Sequence, residues 1–146
     1  MKKISLLLAV ILFATFSQAQ KSEVFVANGY AVNGYDVVAY FTKGTPVKGT
    51  KNYLFQWHDA DWLFSSKQNL DSFSHNPEKY APQFGGYCAY GLSEGHKAPT
   101  EADAWTIVDG KLYFNYNKDV KALWVKDTDA RIKKANENWV LIKDQE

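Results

Sequence analysis

The chain has a single cysteine, Cys88, among 146 residues. One cysteine excludes an internal disulfide, so in an oxidising compartment this thiol must be buried, bound to something, or open to another molecule. Methionine is scarcer still in effect, because the one residue is Met1. If the N-terminal segment is removed, no thioether remains to serve as a soft metal ligand. Charge of one sign is missing as well: 17 Lys and Arg face 16 Asp and Glu, a formal net charge of +1. A balance this even lacks the concentrated basic face that binds nucleic acid or an anionic membrane surface. Repeats, low-complexity runs and internal linkers are absent. Gly85-Gly86 lacks the spacing of a phosphate-cradling loop.

Long apolar runs are lacking too, except at the start. Lys2 and Lys3 precede an apolar stretch from Ile4 to Phe16, followed by Ser17-Gln18-Ala19. This is the order of a secretory signal peptide, over residues 1–19, with cleavage expected after Ala19. The run is short for a membrane span of about 20 residues. No cysteine follows the expected cut, which excludes a bacterial lipid anchor. The expected product is exported, periplasmic or secreted, with no membrane attachment after cleavage. Residues 20–146 then form one domain of ordinary size.

What is abundant is aromatic. Five Trp, nine Tyr and nine Phe make up 16% of the residues. Most are expected to fill the core, each burying about 150–250 Å².

Turn and cap signals divide the chain. Asn28-Gly29 and Asn33-Gly34 are turns. Asp36 can cap a short helix through Val37–Phe41. Residues 52–58 alternate and predict a strand, Asp59-Ala60-Asp61 a turn, and Trp62-Leu63-Phe64 a returning strand. Ser65 or Ser66 caps a helix over Lys67–His75, with Leu70 and Phe73 on one face. Asp109-Gly110, between residues 104–108 and 111–115, is the strongest hairpin signal. Helices follow over about 117–125 and 128–138, with Trp139 packing the tail. The expected class is α+β, with a small antiparallel sheet and several short helices.

The stretch Val32-Asn33-Gly34-Tyr35-Asp36-Val37-Val38-Ala39-Tyr40-Phe41 resembles the opening of exported YHS-domain proteins. Trp62-Leu63-Phe64-Ser65-Ser66, Phe73 and Asn76-Pro77-Glu78-Lys79-Tyr80-Ala81-Pro82 resemble the YHS core, and Gly85–Tyr90 and 104–113 continue the likeness. The resemblance implies a treble-clef-like module, a class in which many members bind heavy metals. In those members a cysteine pair four residues apart supplies ligands. The resemblance places that pair on Ser65 and Asn69, so this chain resembles a Cys-poor exported branch, and the usual ligand pair is not carried over.

The remaining candidate chemistry gathers around Cys88. Its thiolate would suit Cu(I) ahead of Zn(II), with His96 as an imidazole ligand eight residues on, across Gly91 and Gly95. His58 is expected at an exposed strand end. His75 is expected in the last turn of a helix, where its charge suits the dipole. Tyr87, Tyr90 and Trp105 border the Cys88 loop and are the candidates to wall a small-ligand pocket. Two rival readings stay open. Cys88 could be the nucleophile or redox thiol of an enzyme, at an opening helix N-terminus and with a lowered pKa. It could equally be a small buried hydrophobe in an interaction domain. An exposed thiol would also permit a disulfide-linked homodimer.

Overall fold

A computed structural model describes residues 22–145, so the expected signal peptide and its cleavage site lie outside the described residues. The elements in order are β1 (Val26–Ala27), β2 (Tyr30–Ala31), α1 (Val37–Thr42), β3 (Thr50–Trp57), β4 (Ala60–Phe64), α2 (Lys67–His75), α3 (Pro77–Tyr80), α4 (Ala89–Ser93), β5 (Trp105–Val108), β6 (Lys111–Phe114), α5 (Lys118–Trp124) and α6 (Thr128–Ile142). The α+β class holds. The antiparallel pairing is spread over three two-stranded hairpins, β1–β2, β3–β4 and β5–β6. The treble-clef-like core that the resemblance implies is not shown by these hairpins.

Caps account for the helix starts. The Asp36 side chain accepts from Val38 N and Ala39 N at the start of α1. Ser66 accepts from Asn69 N at α2, and Asn117 from Val120 N at α5. Each satisfies backbone donors that the first helical turn leaves unpaired. Pro77 begins α3, where its missing N–H costs nothing. The last helix runs four residues past its expected end.

The core has two parts, and β6 divides them. Its alternate residues Leu112 and Phe114 point into a first cluster with Val37, Val38, Tyr40, Trp62, Phe64 and Phe73. Tyr113, between them, points into a second with Phe84, Leu92, Trp124 and Ala135. A strand places successive side chains on opposite faces, so one strand can serve two cores. Phe73 is the hub of the first, with ring centroids 5.0 Å from Phe64, 5.2 Å from Trp62 and 5.6 Å from Trp57. Each such aromatic pair contributes about 0.5–1.5 kcal/mol beyond area burial. Most aromatics are core, as expected.

The β3–β4 turn differs from expectation. Trp57 pairs with Ala60, so the two turn residues are His58 and Asp59, and β4 begins before Trp62. Both turn residues have positive φ, 50° and 55°. That is the backbone of a type I′ turn, which normally selects Asn or Gly. The His-Asp pair carries no such signal, which is why the turn reads one residue late. In β5–β6 the expected Asp109-Gly110 turn forms as spelled.

Candidate functional site

Cys88 is the N-cap of α4 and is 1% exposed. Its sulfur accepts from Gly91 N at 3.4 Å and Tyr116 N at 3.2 Å, and faces Asn115 Oδ1 at 3.7 Å. Its backbone N–H donates to Ala98 O. Through its thiol and its backbone N–H, Cys88 therefore joins the start of α4, the end of β6 and the loop after α4. Burial pushes its pKa up, against a smaller downward pull from the backbone donors Gly91, Tyr116 and Tyr90. The helix start expected near Cys88 is present, but the lowered pKa that a nucleophile needs is not.

Asn115 completes this hub. It is fully buried, and its Oδ1 also accepts from Tyr90 N at 3.1 Å. Among the described residues, its Nδ2 has no hydrogen-bond partner.

His96 stands near this hub without joining it. Its backbone N–H donates to Gly91 O at 3.0 Å. A Cβ added to Gly91 would lie 3.3 Å from the His96 Nε2 atom, so the imidazole rests over a residue with no side chain. The His96 side chain is exposed. Among the described residues, no hydrogen bond links it to the Cys88 sulfur, and no group of three or more His, Cys, Asp or Glu side chains is gathered to hold a metal.

The three aromatic candidates point to different places. Tyr87 packs on Phe25 and Trp139 and donates its hydroxyl hydrogen bond to Ser22 O. Tyr90 lies under the Arg131 guanidinium, 4.1 Å from its ring centroid. Trp105 meets Tyr40 edge-on at 5.2 Å, on the first core cluster. They share no wall. His75 lies at the end of α2, exposed, with Nδ1 2.6 Å from Asp71 O.

The densest polar geometry is around Asp36, which the sequence shows only as a cap. Asp36 is fully buried, and five donors converge on it. Oδ1 accepts from Val38 N at 3.0 Å and Ala39 N at 3.2 Å. Oδ2 accepts from Ser65 N at 2.8 Å, Ser65 Oγ at 2.6 Å and Asn69 Nδ2 at 2.7 Å. Ser65 and Asn69 are the two positions on which the resemblance places the ligand pair of metal-binding members. Here both are turned to one carboxylate, which ties the start of α1 to the end of β4 and the first turn of α2. The signal that could have found this was in hand: two polar residues at those positions and a capping Asp upstream.

The family model for the YHS domain matches residues 38–84. Residues 38–84, about a third of the chain, are similar to a YHS domain. No curated protein and no solved structure matches it. The matched segment of the YHS domain contains Ser65 and Asn69, with Asp36 just before it. Cys88, His96, Tyr87, Tyr90 and Trp105 all follow it, so the match lends them nothing.

Proposed function

We propose that this protein is an exported, non-enzymatic binding module rather than a thiol enzyme. The observation that carries this reading is the state of Cys88: 1% exposed, held by two backbone donors, with its pKa raised by burial. A catalytic or redox thiol needs access and thiolate character, and this one has neither. The same burial argues against a disulfide-linked homodimer. An aromatic disulfide reagent at neutral pH tests the reading. Native Cys88 is expected to react far more slowly than the denatured chain, and equal rates would overturn it.

A second reading, soft-metal capture with Cu(I) ahead of Zn(II), is favoured by one observation. The loop that covers Cys88 also carries His96, whose imidazole rests over Gly91, a direct neighbour of the sulfur. Metal entry would require that loop to lift. A Cu(I) competition titration decides this. Tight one-to-one binding lost in both Cys88→Ser and His96→Ala supports capture; weak binding indifferent to both changes retires it.

A further inference from the structure

A cleft of ≈ 190 Å³ opens where the β3–β4 turn meets the Gln83–Gly85 turn, the start of α3 and Trp139 of α6. That volume equals roughly six waters, enough for a small ligand headgroup. Most of its lining lies inside the segment that matches the YHS domain.

Lys143 and Lys97 approach the cleft from outside its lining, Lys143 at Glu23 and Lys97 over the Trp139 ring. Glu23, His58 and Glu78 supply the charged and titratable lining, and no Lys or Arg is among the lining residues. Glu23 is already engaged, 2.9 Å from Lys143 Nζ and 3.3 Å from His58 Nδ1. Glu78 is exposed and has no ion-pair partner among the described residues. The partly buried Trp57 and Trp139 line the same cleft, and Trp62, also in its lining, is buried. A carboxylate beside aromatic surface is the setting that attracts an organic cation, through charge and through the ring quadrupole.

The backbone around the cleft is costly. His58 has φ 50° in a turn where Asn or Gly would be relaxed, and Phe84 has φ 56°. Positive φ at non-glycine residues carries strain, and such strain clusters at binding sites. The other two hairpins of the chain turn on Asn28-Gly29 and Asp109-Gly110, so the fold uses the usual turn residues elsewhere and departs from them where the turn borders the cleft.

We propose that this cleft binds a small organic cation, an alkylammonium or quaternary ammonium group, with Glu78 as its counter-charge and Trp57 as its aromatic wall. The proposal rests on the binding-module reading and names the chemical class of its ligand. Choline is the probe, titrated into the full chain with tryptophan fluorescence as the readout. Its uncharged isostere 3,3-dimethylbutanol is the control. Choline is expected to give a saturable change, the isostere none, and Glu78→Gln to weaken choline by about fivefold or more. Glu78 is exposed, so this variant folds, and circular dichroism checks it. Equal response to choline and its isostere overturns the proposal, as does choline binding untouched by Glu78→Gln. No saturable response to choline, with Cys88 slow to react, overturns the cleft proposal alone. A fast-reacting Cys88 overturns the binding-module reading whatever choline does.

Discussion

The Cys88 sulfur and the Asp36 carboxylate do the same job at two places: each accepts from donors that burial has cut off from water. Removing an acceptor leaves those donors unsatisfied, at about 1–3 kcal/mol for each buried group. Cys88→Ala strips the partner from Gly91 N and Tyr116 N and is expected to cost about 2–3 kcal/mol. Cys88→Ser keeps an acceptor at a helix N-cap and is expected to cost less. Urea denaturation of the pair checks the order, and a tie would mean that the sulfur is only filling space. Asp36→Ala strands five donors and is expected to cost about 3–5 kcal/mol by the same measurement. The cap role of Asp36 was legible because it acts on the next three residues. Its other partners lie 29 and 33 residues away, and no local pattern reports a distance of that kind. For Cys88 the sequence left burial, metal and catalysis open, because accessibility is a property of the loop that covers it.

Elements were legible wherever their chemistry is local. Asp36, Ser66 and Asn117 start helices, and Asp109-Gly110 turns a hairpin, all from short-range hydrogen bonding or permissive backbone. The β3–β4 turn read late because His58 and Asp59 both have positive φ without the Asn or Gly that usually marks such a turn. That mismatch makes a prediction. Replacing His58-Asp59 with Asn-Gly should stabilise the chain by about 1–2 kcal/mol, since it relieves two positive-φ residues. The lost His58–Glu23 pair is half-exposed and offsets less than about 1 kcal/mol. A rise in urea midpoint at unchanged slope confirms it, and a fall would show the His58 contact to be worth more than the strain. Gly85 behaves in the opposite way. Its φ is 62°, and a Cβ there would overlap the Glu23 carbonyl oxygen, so Gly85→Ala should displace the N-terminal segment from the cleft.

Across the whole molecule, the two core clusters meet along β6, and aromatic hydroxyls are buried in both. Burial raises the pKa of Tyr40, Tyr87 and Tyr113, and of Cys88, by penalising the charged form. The direction sets the alkaline limit of stability. A group whose folded pKa is raised is neutral in both states below its unfolded value, and its contribution is then complete. As pH passes about 9.0 for the thiol and 10.0 for the tyrosines, the unfolded chain ionises first and folding becomes less favourable. Glu23 works in reverse. Its hydrogen bond with Lys143 holds its pKa below the usual 4.5, so its contribution is present above that value and lost as pH falls. That pair is partly exposed and is screened by salt, so it contributes little. The alkaline loss should therefore resist added salt, because its groups are buried. Thermal unfolding followed from pH 7 to 11, at low and high salt, measures it. Tyr40→Phe should be less steep above pH 10 than the parent chain, although it loses the hydrogen bond to Ala102 O and starts from lower stability. A parent and variant that fall in parallel would show that Tyr40 ionises at the same pH in the folded and unfolded chains, and would move the alkaline limit to Cys88 and the other tyrosines.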